Sequence, residues 1–237
     1  MPNFTIAVVT VKHWLAVIKK RIFISRKNEK SIVDQFHDFY FNSHIIGEVW
    51  GKSTWLGVPI LKCPLDAWIY QEIIYEVQPD VIIETGTAKG GSAFYLAAIC
   101  DLIGKGSVIT VDIAEDKARP QHKRIKYITG SSTSPEIVGK IKEIIRPAGR
   151  IMVILDSDHA KDHVLKELNI YSSFVTKGSY LIVEDTNVNG HPIFADFGPG
   201  PMEAVENFLK RHKEFIVDAK REKFYLTFNP KGYLLRV

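Results

Sequence analysis

One segment of the sequence, VIIETGTAKGGSA at residues 81–93, constrains the possible folds most strongly. Its first residues are apolar and predict a buried parallel strand, because such strands carry hydrophobic side chains on both faces. The acid Glu84 ends that run, glycines at 86, 90 and 91 predict a tight turn, and the apolar residues that follow predict a helix. Strand, glycine turn and helix in this order are typical of a doubly wound α/β sheet, whose ligand lies against the turn and the helix N-terminus.

The spacing of this turn indicates which ligand it suits. It reads E-x-G-x-x-x-G-G, which is not the G-x-G-x-x-G pattern of dinucleotide-binding turns. We expect the carboxylate of Glu84 to lie inside the turn, where it would repel a pyrophosphate and attract a ligand with positive charge. A tight strand-to-helix turn without any ligand is the alternative that this segment alone leaves open.

The rest of the chain alternates between predicted strands and helices. After the central strand, further strands are predicted at 107–112, 125–128, 150–156 and 177–185. Helices are predicted at 31–42, at 64–75, up to 145 after a cap at 130–135, at 159–175 and at 202–212. Closing strands, including an antiparallel pair, are predicted at 215–217, 224–228 and 233–235. This alternation predicts a doubly wound, mostly parallel sheet with helices on both faces, which binds ligands at the carboxyl ends of its strands.

Composition limits the class of protein. The 237 residues, 24% of them charged, suit a helical N-terminal appendage at 1–48 and one large domain at 49–237. A formal net charge of +4 is modest and does not by itself argue for nucleic acid, for which a concentrated basic face is expected, so we expect no nucleic-acid partner. Cys63 and Cys100 form neither a metal-ligand pattern nor a disulfide framework, so a reducing, cytoplasmic setting is expected.

The N-terminus is mostly apolar at residues 4–18 and then basic at Lys19, Lys20 and Arg21. The apolar run is too short to span a membrane. It predicts a helix that packs on the core or on a neighbouring subunit, so we expect a homo-oligomer. Peripheral contact of this basic helix with anionic lipid is the alternative.

Acidic residues end four of the predicted parallel strands. They are Glu84, Asp112, Asp156 and the pair Glu184–Asp185. Carboxylates gathered at one edge of a sheet repel one another, so cations or hydrogen-bond donors must offset them. Asp112 follows the glycine turn by about twenty residues, where an acid that binds ribose hydroxyls is expected.

The other strand-end acids predict a metal site. Asp156, Glu184 and Asp185 offer hard oxygen ligands, which suit Mg²⁺. Adjacent residues of a strand point to opposite faces, so Glu184 and Asp185 can bind one ion together only if the strand has already turned. Asp158 is an alternative ligand to Asp156. His159 is a candidate catalytic base, and a hydrogen-bonded loop histidine is its alternative role.

Several of these motifs together resemble the cephalosporin hydroxylase/rhamnosyl O-methyltransferase family. They are WLGVP (55–59), Asp66 with YQE (70–72), PDVIIETGTAKGGSA (79–93), LDSDH (155–159), VED (183–185) and GPGPMEA (198–204). The resemblance covers the chain from about Trp50 to its end. It implies a Rossmann-like class I methyltransferase fold with a seven-stranded sheet, S-adenosylmethionine (SAM) as methyl donor and a Mg²⁺ ion.

The resemblance also implies roles for individual residues. The implied donor-binding residues are Glu84, Gly86, Thr87, Gly90, Gly91, Ser92, Asp112, Ser131 and Asp156. The implied metal ligands are Asp156, Glu184 and Asp185, and the candidate catalytic residues are Asp156 and His159. Residues 1–48 are not assigned a role by the resemblance.

These inferences agree chemically, because SAM carries a sulfonium and an α-ammonium that an acid in its binding turn would attract. The sequence therefore predicts a SAM-dependent, Mg²⁺-assisted O-methyltransferase acting on a hydroxyl of a sugar, a glycoside or another secondary metabolite. Two alternatives are kept. One is a nicotinamide-dependent oxidoreductase, which the missing G-x-G-x-x-G disfavours. The other is a non-catalytic SAM-binding member of the family.

Overall fold

The strands of the protein form one large sheet and one small hairpin. The computed structural model describes residues 17–18, 26–46, 49–146 and 149–237. In chain order the strands are β1 (Thr54–Trp55), β2 (Val58–Pro59), β3 (Val81–Thr85), β4 (Ser107–Asp112), β5 (Ile125–Thr129), β6 (Ile151–Leu155), β7 (Tyr180–Val183), β8 (Phe215–Val217) and β9 (Tyr233–Arg236). The sheet has seven strands in the order β5-β4-β3-β6-β7-β9-β8. The predicted seven-stranded sheet is confirmed.

Helices cover both faces of this sheet. They are α1 (Arg26–Ile46), α2 (Pro64–Val77), α3 (Gly91–Leu102), α4 (Pro135–Ile145), α5 (Lys161–Tyr171) and α6 (Pro201–Arg211). One core cluster joins α2 and α3 to the sheet face that carries Ile82 and Met152. The other joins α4, α5 and α6 to the opposite face, which carries Ile83 and Val153. The strands are apolar on both faces because both faces are covered, as expected of a doubly wound sheet.

The register of the parallel strands brings their carboxyl ends into line. Thr85 pairs with Val111 on one side and with Leu155 on the other, and Leu155 pairs with Val183. The strands β8 and β9 close the sheet in the antiparallel sense. The acids that end or follow β4, β6 and β7 therefore meet at one edge of the sheet. This edge includes the gap between β3 and β6, where the strand order reverses and where such sheets bind ligands.

Two details differ from the expectations. The predicted strand at 224–228 is wrong, because this segment is irregular and holds a buried carboxylate instead of a sheet ladder. The Phe228 N–H donates to Asp66 Oδ2 at 2.8 Å, and the Thr227 hydroxyl donates to Asp66 Oδ1. The segment at 50–63, for which no helix or strand is predicted, contains the short antiparallel hairpin β1–β2 with Gly57 in its turn.

The N-terminal helix α1 packs against the large domain. It contains the predicted helix at 31–42 and is longer at both ends. Its Phe41 lies in a buried cluster with Val188, Ile193, Leu226 and Phe228. Of the apolar and basic N-terminal segment, only residues 17 and 18 are described, and the rest of that prediction lies outside the described residues. The domain boundary at 48/49 stays a prediction.

No helix among the described ranges has the length and apolarity needed to cross a membrane.

Candidate active site

A pocket of about 270 Å³ opens at the carboxyl edge of the sheet. It is lined by Gly86, Val111, Asp112, Ile113, Gly130, Ser131, Ser132, Ser157, Asp158 and His163. These residues come from the end of β4, from the loops that follow β3, β4, β5 and β6, and from the first turn of α5. Three predicted donor-binding residues, Gly86, Asp112 and Ser131, thus share one cavity of a size that suits a nucleoside.

Asp112 ties the glycine turn to the end of β4. Its Oδ2 accepts hydrogen bonds from Thr87 N at 3.0 Å and Ala88 N at 2.8 Å. Its Oδ1 accepts from Ala114 N at 2.9 Å. The guanidinium of buried Arg119 lies 3.4 Å from the same Oδ2 and offsets its charge. A carboxylate oxygen has two acceptor positions, so Oδ1 of Asp112, which accepts one hydrogen bond within the protein, can still receive a hydroxyl from the pocket.

Glu84 does not lie inside the turn, which corrects the expectation from the sequence. It belongs to β3, and its side chain is fully buried. Its Oε1 accepts from Ser92 Oγ at 2.5 Å, and its Oε2 accepts from Thr110 Oγ1 at 2.7 Å. Burial raises the pKa of the Glu84 carboxyl, while Lys62 and the two hydroxyls act in the opposite direction. Glu84 and Ser92 therefore hold β3, β4 and the start of α3 together from behind the turn.

Two of the predicted glycines are required by contacts within the protein. A Cβ on Gly86, which has a φ of +85°, would lie 1.8 Å from the backbone oxygen of Asp156. A Cβ on Gly91 would lie 2.1 Å from the backbone oxygen of Pro59 in β2. No side chain fits at such distances. The first glycine lets the turn touch the end of β6, and the second lets the hairpin pack on the N-terminus of α3.

Asp156, His159 and Asp185 form a cluster beside the pocket. One ligand atom from each lies within 4.8 Å of the others. The imidazole Nε2 of His159 is 3.2 Å from Asp185 Oδ2. Strand β7 has ended at Val183, and Asp185 has a left-handed φ of 52°, so the chain has turned where the sequence required it to. Burial raises the pKa of the Asp185 carboxyl to about 6, and His159 opposes this.

This donor set fits a Mg²⁺ ion. Two carboxylates on neighbouring strand ends supply hard oxygen ligands and leave open positions for water and substrate oxygens. Imidazole is a ligand of softer metals, so His159 suits the role of a hydrogen-bond partner of Asp185 better than that of a Mg²⁺ ligand. Asp158, the alternative ligand, donates no oxygen to the cluster. It lines the pocket and accepts from Ala160 N at 2.7 Å.

Glu184, the third expected metal ligand, lies apart from this cluster and contacts a lysine. Its Oε1 is 2.5 Å from Lys62 Nζ, which is also 2.8 Å from Asp156 Oδ2. Both Lys62 and Glu184 are buried. Burial and the nearby Asp156 raise the pKa of the Glu184 carboxyl well above its usual range, while Lys62 opposes the shift. No sequence pattern marks Lys62 as a site residue, because a lone lysine before a helix is common on protein surfaces.

A second polar cluster, formed by Ser157, His163 and Glu167 below the pocket, was also not predicted from the sequence. Ser157 Oγ donates to Glu167 Oε1 at 2.8 Å and lies 3.1 Å from His163 Nε2. Glu167 is fully buried, and its Oε2 has no hydrogen-bond partner among the described residues. The hydrogen bond that the imidazole donates to the Glu167 carboxylate raises the pKa of His163. The pair of His163 and Glu167 thus supports the wall of the pocket that Ser157 and His163 form.

Comparison with known proteins identifies the family. The family described as "Rhamnosyl O-methyltransferase/CmcI" matches residues 47–237. The rhamnosyl O-methyltransferase of Mycobacterium tuberculosis (strain ATCC 25618 / H37Rv) is 39% identical over 213 residues, covering 87% of this chain and 85% of the relative. That of Mycobacterium leprae (strain TN) is 38% identical over 215 residues, covering 87% and 91%.

A solved structure shows the same fold. The structure named "cmcI-D160 Mg-SAM" superposes with a TM-score of 0.59 at 19% identity and covers 79% of this chain and 77% of its own. Identity at this level establishes the fold alone. Family membership rests on two other findings. They are the match of the family model over most of the chain and the identity to the two mycobacterial proteins. The chain belongs to the rhamnosyl O-methyltransferase/CmcI family.

Proposed function

We propose that this protein transfers the methyl group of SAM to a hydroxyl of a glycosidic small molecule, with Mg²⁺ held at the carboxyl edge of the sheet. The protein is a SAM-dependent methyltransferase by family. The observation that carries the proposal is the position of the nucleoside-sized pocket, directly beside the cluster of Asp156, His159 and Asp185. The sugar is proposed as acceptor because the two mycobacterial relatives are rhamnosyl O-methyltransferases.

The donor would lie across the glycine turn. Asp112, at the end of β4, would accept a hydrogen bond from a ribose hydroxyl through Oδ1, and Ser131 lines the same pocket. Gly86 and Asp156, which are in backbone contact, would hold the part of the donor that carries the sulfonium. Negative charge at this edge favours the cationic donor over its neutral product, S-adenosylhomocysteine (SAH), at the sulfur position.

The residues of the chain would act mainly by alignment. Methyl transfer is an in-line displacement, and holding donor and acceptor in line can supply roughly 7–11 kcal/mol of barrier lowering. Asp156 and Asp185 would hold a Mg²⁺ ion, which would supply polarisation of an acceptor hydroxyl and so a lower pKa of that hydroxyl. Because Nε2 of His159 faces Asp185, Nδ1 is the atom that would take up the proton that the acceptor hydroxyl loses.

The setting and assembly complete the proposal. Cys63 and Cys100 are both free and buried, which supports the cytoplasm as the compartment. A homo-oligomer remains the expected assembly, with the N-terminal segment as the contact and peripheral lipid contact as the second hypothesis.

Two measurements test the proposal. Isothermal titration calorimetry should show binding of SAM and SAH to the full-length protein. A methyl-transfer screen over rhamnosides, other glycosides and vicinal diols should yield a methylated product by mass spectrometry, and EDTA should suppress it. Folded protein that binds neither SAM nor SAH would exclude the function, and a reaction that EDTA leaves unchanged would exclude the role of the ion.

A further inference from the structure

The buried ammonium of Lys62 lies among the acids of the site. Its Nζ contacts Asp156 Oδ2 at 2.8 Å and Glu184 Oε1 at 2.5 Å, and only 3% of its side chain is exposed. Among the described residues, no other lysine or arginine forms an ion pair with Asp156, Glu184 or Asp185. The ammonium of Lys62 is therefore the cation that offsets the charge of Asp156 and Glu184, next to the proposed position of the Mg²⁺ ion.

Contacts on both sides of Lys62 in the chain fix the position of its backbone. Leu61, just before it, has a left-handed φ of 53°. A residue other than glycine keeps this backbone conformation only when the surrounding contacts require it. The hairpin β1–β2 anchors the chain on one side, where Pro59 packs on Gly91. On the other side α2 begins at Pro64, and the hydrogen bonds of Asp66 to Thr227 and Phe228 fix its first turn.

Other buried polar groups enclose this contact. The fully buried Glu84 lies near the ammonium, and the Tyr70 hydroxyl hydrogen-bonds Glu184. Lys62 and Glu184 are therefore held together within a buried polar cluster.

We infer that Lys62 is a positioning residue that stands in for the metal when none is bound, holding Asp156 and Glu184 in place and limiting the affinity of the site for Mg²⁺. This inference rests on the proposed function only in taking Mg²⁺ as the ion. Without Lys62, the acids would repel one another, and the metal-free protein would lose stability that an added dication restores. With Lys62, the protein keeps its fold in the absence of Mg²⁺ and the ion exchanges readily.

The test compares thermal unfolding and Mg²⁺ binding of the full-length wild type, Lys62→Met and Lys62→Arg. In EDTA, we expect Lys62→Met to unfold about 6 °C or more below the wild type. Excess MgCl₂ should restore most of that difference while changing the wild type by much less. Calorimetry with MgCl₂ alone should show at least tenfold tighter binding to Lys62→Met, and Lys62→Arg should stay near the wild type, because the positive charge is kept.

Lys105→Met is the matched control. It removes the same charge from an exposed lysine, whose Nζ is 3.0 Å from Asp80 Oδ1 before β3, at the opposite end of the sheet. It should change Mg²⁺ affinity less than twofold. A Lys62→Met protein that loses the same stability in EDTA and in MgCl₂, or is unfolded in both, or is unaffected in both, overturns the inference. Failure of SAH binding or methyl transfer in the wild type would instead overturn the proposed function. The inference about Lys62 would then still be decided by the unfolding and MgCl₂-binding measurements.

Discussion

The side-chain amide of Asn187 lies 2.9 Å from Nε2 of His37, and this buried pair joins the N-terminal helix α1 to the loop that carries the active-site acids. His37 also stacks on Phe228, with ring centroids 5.6 Å apart. Burial lowers the pKa of His37 to about 4, although Asp34 and Asp38 oppose the shift. Helix α1 is thus attached two residues after Asp185 through an imidazole that is neutral in the folded protein.

The buried His37 makes stability depend on pH. In the unfolded chain this group takes up a proton near pH 6.5, whereas in the folded protein it does so only near pH 4. The free energy of unfolding should therefore fall as the pH is lowered through this window, by about 3 kcal/mol from this group. Chemical denaturation at several pH values measures the slope. His37→Gln should show a shallower slope between these pH values, and equal slopes would contradict the assignment.

Asp112→Asn should weaken SAH binding. The amide nitrogen of asparagine cannot accept hydrogen bonds, so one of the contacts to Thr87, Ala88 or Ala114 is lost and the ribose loses an acceptor. We expect at least a tenfold loss of affinity by calorimetry. Asp116→Asn is the control, because Asp116 pairs with exposed Lys89 on the outside of the same loop. A control that loses as much affinity would indicate a general effect of charge.

Glu84→Gln separates a structural from a direct role of this buried acid. The Glu84 carboxylate accepts from two hydroxyls behind the turn, and the amide can accept only through its remaining oxygen. We expect a loss of about 1–3 kcal/mol in the free energy of unfolding. SAH affinity should change less than threefold. A large loss of affinity with unchanged stability would show that Glu84 acts on the donor directly.

Asp185→Asn should reduce Mg²⁺ affinity at least tenfold, since it removes one carboxylate from the cluster with Asp156 and His159. Binding of SAH in EDTA should stay within twofold of the wild type, because Asp185 is not part of the nucleoside-sized pocket. Glu206→Gln, which removes an exposed acid paired with Lys231, is the control. Unchanged Mg²⁺ affinity in Asp185→Asn would place the ion elsewhere.

Much of the fold follows from local sequence patterns. The strands β3, β4, β6 and β7 are apolar on both faces because helices cover both, and that pattern is visible without the structure. The acids that follow them are predictable from the alignment of parallel strand ends. The glycine turn is predictable too, although Gly86 and Gly91 are required by protein contacts.

What the sequence missed depends on contacts between distant parts of the chain. Residues 224–228 read as a strand because they are rich in aromatic and β-branched types, but Asp66, about 160 residues earlier, engages their backbone and side chains. Lys62 and Glu184 are 122 residues apart, so no local pattern could pair them. The hairpin β1–β2 has only two residues in each strand, too few for an alternating pattern to appear.

The backbone contact between Gly86 and Asp156 couples the position of the glycine turn to the position of the ion cluster. Because the turn that faces the donor rests directly on the residue that begins the ion cluster, neither can be displaced without displacing the other. Gly86→Ala should therefore disturb ion and donor binding together. With the proposed function, the main chain would fix the spacing between the glycine turn and the ion cluster, so differences in acceptor preference would arise in the loops around these two parts.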